Sequence, residues 1–218
     1  MDEAVKLLGL PDFPRRDGQI EVLPDAVELR VLGCLIEKQR TTPDTYPLSL
    51  NALRLACNQS TNREPVVDYD EPTIRDALQR LSANGWVRLA SGPSSRAVKY
   101  RHLFDQALGL SGAEISLLTV LMLRSAQTIG ELKSRTERLH RFGSLAEVDE
   151  TLQTLAGREL VVRLERRPGQ KEERWEHQLG ETADGAPAAA TEENSLEQRV
   201  RLLEEQVAEL RDQLDRAL

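Results

Sequence analysis

Residues 70–89 read DEPTIRDALQRLSANGWVRL, and they decide the fold. Asp70 is of the residue class that caps helix N-termini. Pro72 falls in the first turn, where no helical N–H bond is lost. Ile74, Ala77, Leu78 and Leu81 recur at the spacing of one helical face. Gly85 ends the helix. Trp86-Val87-Arg88-Leu89 then reads as a strand, SGPSSR as a turn, and Ala97-Val98-Lys99-Tyr100 as the returning strand. A helix delivered into a β-hairpin is the closing half of a winged helix, a variant of the helix-turn-helix.

The same grammar occurs twice. Glu28–Leu35 aligns with Glu114–Leu121 at an offset of 86, and Leu78–Leu81 with Leu152–Leu155 at an offset of 74. The apolar positions agree, as a shared core requires. The change of offset places about 12 extra residues between the first and third helices of copy one. ACNQSTNREPV, residues 56–66, lies there, and the Pro-bearing RTTPDTYP is a second place for the extra length. Pro65 is expected to stop the local helix, and Val66-Val67 to anchor the loop. Ser49 is a cap for the second helix of copy one. In copy two, Ser111/Glu114, Thr128/Glu131 and Ser144/Glu147 each have the spacing of a capping box.

The expected fold class is α+β, mainly α with small β-hairpins: two tandem winged helices and a C-terminal coiled-coil-like helix. The expected boundaries are an extension at 1–21, winged helix one at 22–105, winged helix two at 106–180, a flexible linker at 181–193 and a heptad helix at 194–218. In that last segment apolar residues fall at Leu196, Val200, Leu203, Val207, Leu210 and Leu214, alternately four and three apart. Val at a and Leu at d favour a parallel two-stranded coil, so a homodimer is expected. Packing of this helix back onto its own chain is the rival.

The segments LRVLGCLIEKQRTTPDTYPLSLNAL, ACNQSTNREPV, RTERLHRF and RPGQKEERW resemble the YceH-like family of bacterial proteins. With their flanks they cover roughly residues 25–180. The resemblance implies tandem winged helices and carries no activity. It makes Asn58, Gln59, Asn62 and Arg63 a family-motif loop. Two readings of that loop stay open: an internally hydrogen-bonded structural element, or a contact to nucleic acid or a partner.

The chemistry in the chain points away from catalysis. It has no nucleophile beside a base, no phosphate-cradling Gly loop and no metal-ligand spacing. An enzyme, a cofactor and a metal site are therefore not expected. Cys34 and Cys57 lie inside apolar helical patterns and read as small core residues in a reducing cytoplasm. No apolar run is long enough to span a bilayer. The net charge is −7, of which residues 181–218 carry −6, ten acids against four bases. The remaining body is near neutral and neither demands nor forbids a polyanion.

Double-stranded DNA is the sharpest expectation for a partner. The third helix of copy one presents Thr73, Arg75, Gln79 and Arg80 outward. Arg reads guanine, and Gln reads adenine, by bidentate hydrogen bonds. Arg96 and Lys99 flank the wing and suit phosphates. The third helix of copy two shows Glu147, Asp149 and Glu150, which oppose phosphates. Its basic residues, Arg135, Arg138, Arg141, Arg166, Arg167 and Lys171, either track a phosphate backbone or pair with the domain's own carboxylates. The leading expectation is a non-enzymatic DNA-binding regulator. The alternative is a scaffold whose winged helices contact protein without DNA.

Overall fold

The computed structural model describes residues 23–90, 98–166 and 172–180. The heptad positions, Arg96, Arg167 and Lys171 lie outside them. Within them the fold is mixed α+β, with seven α-helices and two small antiparallel sheets. The first half runs α1 (Ala26–Thr41), a 3-10 turn (Pro43–Thr45), β1 (Leu48–Ser49), α2 (Leu50–Cys57), α3 (Glu71–Ala83), β2 (Val87–Leu89) and β3 (Lys99–His102). A short helix, α4 (Phe104–Leu108), leads into the second half. There follow α5 (Gly112–Arg124), α6 (Ile129–Thr136), α7 (Leu145–Gly157), β4 (Val161–Leu164) and β5 (Arg174–His177). Each half is three helices followed by a hairpin. The short helix α4 has no counterpart in the sequence reading, and neither does β1.

The helix ends follow local chemistry. Asp25 and Glu28 form a capping box on α1, Ser111 and Glu114 one on α5, and Thr128 and Glu131 one on α6. Ser49 and Asp70 cap α2 and α3 through the amides of Ala52 and Thr73. The box expected at Ser144 is only half made. Ser144 accepts from the Glu147 amide, but the Glu147 carboxylate reaches past the cap to the Gly143 amide at 2.7 Å. Gly85 has φ +73°, the left-handed turn in which glycine meets no Cβ penalty. There the Trp86 amide returns to the Leu81 carbonyl at 2.9 Å and closes α3.

The extra length of the first half is spread out. Its helices start at residues 26, 50 and 71, and those of the second half at 112, 129 and 145. The offsets are 86, 79 and 74, so seven extra residues precede α2 and five follow it. RTTPDTYP therefore holds more of the insertion than ACNQSTNREPV does. Part of it becomes β1, which pairs with β3 at Leu48↔Tyr100 and makes the sheet three-stranded, in the order β1-β3-β2. Helix α2 ends at Cys57, well before Pro65, because Asn58 turns the chain there. The expectation that Pro65 stops the helix is corrected: the proline lies downstream in the connection.

One apolar core runs through both halves. It joins Leu32, Leu35, Ile74, Leu78 and Leu81 of the first half to Ile115, Leu118, Leu121, Leu152 and Leu155 of the second. Trp86 stands edge-on to Phe104, with ring centroids 5.2 Å apart. The expected stripe of α3, Ile74, Ala77, Leu78 and Leu81, is buried. Val31, Leu32, Cys34 and Leu35 of α1 have no exposed surface, because that helix is covered by α2 and α3 on one side and by α5 on another.

Candidate nucleic-acid interface

The buried stripe of α3 fixes which of its side chains face outward. Arg75, Asp76, Gln79 and Arg80 are exposed. Thr73 is half-buried, and its amide and hydroxyl are both engaged by the Asp70 cap. Arg75 and Gln79 make no hydrogen bond or ion pair among the described residues. Arg80 differs: its guanidinium lies 2.7 Å from the Asp25 carboxylate and 3.3 Å from that of Glu28. Asp25 and Glu28 are the capping box of α1, so Arg80 ties the start of α1 to the end of α3. Its donors are committed to the fold, and among the helix candidates that leaves Arg75 and Gln79 free.

The sheet adds cations that the sequence reading missed. In β2 and β3, Val87 faces His102, Arg88 faces Arg101 and Leu89 faces Tyr100. Side chains alternate across a strand, so Val87, His102, Leu89 and Tyr100 share the face on which Leu48 is buried. Arg88 and Arg101 therefore share the other face, with Lys99 two residues along from Arg101. Neither Arg88 nor Arg101 has a hydrogen bond or ion pair among the described residues, and Nε of Arg101 is buried without a partner. Like charges directly opposite each other destabilise a strand pair. The alternation in WVRL and KYRH was the available signal. The field of these cations reaches inward: His102 is pushed down to about 4 by burial first, and then by Arg101 and Arg40 against the pull of Asp105.

Six arginines of the second half pair internally. Arg141 meets Glu137 at 2.7 Å, Arg174 meets Glu131 at 3.1 Å, Arg163 meets Glu173 at 3.1 Å, and Arg135 meets Glu131 at 3.7 Å. Arg166 lies 4.0 Å from Glu173, and Arg158 3.3 Å from Glu114. Of the residues for which two readings were left open, Arg135, Arg141 and Arg166 pair with carboxylates of their own half, Arg138 makes no ion pair among the described residues, and Arg167 and Lys171 lie outside them. On α7 the Thr151 and Thr154 hydroxyls donate to the carbonyls of Glu147 and Glu150. They are thereby used within the helix.

The motif loop is built around two buried guanidinium groups, those of Arg63 and Arg30. The Arg63 side chain has no exposed surface. Nε donates to the Ala56 carbonyl at 3.1 Å, and Nη1 to the Asn62 carbonyl at 2.8 Å. Nη2 donates to Glu37 at 2.6 Å and to the Gln59 side-chain oxygen at 3.0 Å. Arg30 donates to the Cys57 carbonyl at 3.3 Å and to the Pro65 carbonyl at 2.7 Å. The last carbonyls of a helix have no intrahelical partner. Arg63 and Arg30 supply partners for two of them at the end of α2.

The remaining motif residues close the loop. Asn58 donates to the Tyr69 carbonyl at 2.8 Å and accepts from its amide at 2.9 Å, a two-way bridge across the neck. Asn62 is left-handed at φ +62°, which Asn tolerates, and its side-chain oxygen accepts from Arg124 of α5. The Glu64 amide donates to the Leu123 carbonyl at 2.9 Å, so the loop also serves the end of α5. Val66 is exposed, contrary to its expected role as an anchor: polar bonds and buried Arg side chains hold this loop.

Residues 24–170 match the model of a family described as "Protein of unknown function, DUF480". The chain belongs to this family. A UPF0502 protein of Serratia proteamaculans (strain 568) is 48% identical over 202 residues, which span 88% of this chain and 94% of the relative. The family match runs from α1 through β4 and takes in Asn58, Gln59, Asn62 and Arg63 together with all of α3. None of the helices among the described residues is long and apolar enough to cross a membrane. No cluster of ligand-type side chains fit to hold a metal occurs among them.

Proposed function

We propose that this protein is a non-enzymatic, cytoplasmic regulator that binds double-stranded DNA through two tandem winged helices, the first reading the duplex and the second contacting protein. One observation carries the reading. The first half leaves Arg75, Arg88 and Arg101 without an ion pair among the described residues, while the second half pairs Arg135, Arg141, Arg158, Arg163, Arg166 and Arg174 with its own carboxylates. In a winged helix α3 enters the major groove and the hairpin lies along the backbone. Arg75 and Gln79 are then the base readers. Arg88 and Arg101, with Lys99 and Arg96, are the phosphate contacts. The heptad residues Leu196, Val200, Leu203, Val207, Leu210 and Leu214 pair two copies, which suits a two-fold symmetric site.

The test is duplex binding followed by fluorescence anisotropy across a salt series. Each neutralised phosphate contributes about 0.9 to the slope of log K against log salt. Replacing Arg88 and Arg101 together by Ala should reduce that slope by about 2 and leave the fold intact. Absence of duplex binding by the wild type even at low salt defeats this reading, and the protein-contact scaffold then stands.

A further inference from the structure

The turn between α5 and α6 is strained and is clamped from both sides. Ser125, which follows α5, has φ +58° and ψ −159°. That region is essentially reserved for glycine, because a Cβ crowds the backbone there, and another residue persists in it only where its surroundings over-determine it. Beside it, Gln127 is 2% exposed, and its side-chain amide donates to the carbonyls of Arg124 at 2.7 Å and Ala126 at 3.0 Å. The Gln127 side-chain oxygen is buried and accepts no hydrogen bond among the described residues. A buried polar group without a partner is a second mark of a locally costly arrangement.

The first half holds one end of this turn. The Leu123 carbonyl accepts from the Glu64 amide at 2.9 Å, and the Arg124 guanidinium donates to the Asn62 side chain, so the last turn of α5 is bonded to the motif loop. The hairpin β4–β5 holds the other end. Gln127 and Trp175 exchange two backbone hydrogen bonds, at 2.9 and 2.7 Å. The Arg174 guanidinium donates to the Ala126 carbonyl at 2.8 Å and pairs with Glu131 at 3.1 Å. Residues 123–127 therefore carry bonds to both halves, with the strained Ser125 between the two sets.

We propose that Ser125 is a strained joint coupling the motif loop of the first half to the hairpin of the second, so that loosening either end loosens the other. The two sets of bonds hold a serine where its own backbone preference does not. When one set is lost, Ser125 relaxes towards an ordinary conformation and turns the carbonyls and side chains on either side of it. The other set then loses its geometry. Such coupling is reciprocal, since the same relaxation weakens each end. Arg174 is the point of entry. Its side chain is 33% exposed on the second hairpin, open to a partner's carboxylate that competes with Ala126 and Glu131 for it. The effect emerges at Asn62 and Glu64, in the connection that leads from α2 to α3. The coupling is a property of the fold and does not depend on DNA binding.

Hydrogen exchange of the full-length protein, read at single amides by NMR, tests the joint. Rates are referred to the Leu32 and Leu35 amides of α1, which removes global unfolding from the comparison. Arg174→Ala should speed exchange of the Glu64 amide by about tenfold, and Arg124→Ala should speed that of the Gln127 and Trp175 amides by a similar factor. Ser125→Gly should raise the urea midpoint, because glycine adopts this backbone without strain. In the S125G background neither alanine change should reach across the turn, because glycine stays in place when one clamp is lost. An unchanged Glu64 rate in R174A overturns the proposal. So does equal acceleration with glycine at position 125, or an S125G chain no more stable than the wild type. Should R174A not fold, R124A tests the same joint from the other end.

Discussion

Gly33 of α1 lies directly against Leu123 of α5: a Cβ placed on residue 33 would stand 2.9 Å from Leu123 Cδ2 and 3.0 Å from its Cγ. Glycine inside a helix costs about 1 kcal/mol relative to alanine. Here it lets the first helices of the two halves approach closely enough to share one core. Gly33→Leu should force them apart. A loss of about 1–3 kcal/mol is expected from overpacking, read as a lower urea midpoint. Unchanged stability would mean that the α1–α5 contact is looser than its geometry indicates.

Arg63 should be among the most sensitive positions in the chain. Arg63→Ala removes bonds to four protein partners and leaves Glu37 with only Lys38, at 3.6 Å, and the Ala56 carbonyl with only the weak thiol donor of Cys34. Breaking a buried pair in this way costs about 3–5 kcal/mol. Arg63→Lys should recover little, since an ammonium cannot reproduce the guanidinium fork. Thermal unfolding of the two variants checks this. A variant as stable as the wild type, with altered partner binding, would move the loop from structure to recognition.

Arg75 and Arg80, five residues apart on one helix, should behave differently. Arg75→Ala touches nothing in the fold and should lower affinity for the preferred duplex by about 1–3 kcal/mol. Arg80→Ala removes partly exposed ion pairs to Asp25 and Glu28 and should cost about 1 kcal/mol of stability. Its duplex affinity should stay within error of the wild type. Anisotropy titrations and melting curves on the same preparations separate the roles, and equal loss of affinity in both variants would place Arg80 in the groove.

Acid should weaken the fold between pH 6.5 and 4. His102 and His177 are buried, and burial pushes both down to about 4 from an ordinary value of 6.5. The unfolded chain binds protons in that interval that the folded chain refuses. Stability is therefore full above about pH 6.5 and falls as the pH drops towards about 4. Each histidine accounts for about 3 kcal/mol at most. His177→Leu should flatten the fall, measured as melting temperature against pH. An identical profile in that variant would remove His177 from the account.

Deleting residues 194–218 should convert a dimer to a monomer by light scattering, because the heptad seam is the pairing element expected from sequence. An unchanged mass would exclude that role.

Much of the fold was legible in the sequence because it depends on local rules. Caps, the stripe of α3, the two hairpins and the offsets of the repeat all follow from periodicity and from unpaired backbone groups at helix ends. The shared apolar pattern also placed the core of each half. Contacts between segments distant in the chain decided the rest. Arg80 looked like a groove reader until α1 brought Asp25 beside it. Arg88 and Arg101 were isolated basic residues until strand register set them opposite each other. In ACNQSTNREPV the donor-rich composition was visible, but the carbonyls of α2 and the carboxylate of Glu37 that consume those donors come from other helices. Composition counts charges and hydrogen-bonding groups, whereas only the tertiary structure determines which of them are already paired and which remain for a partner.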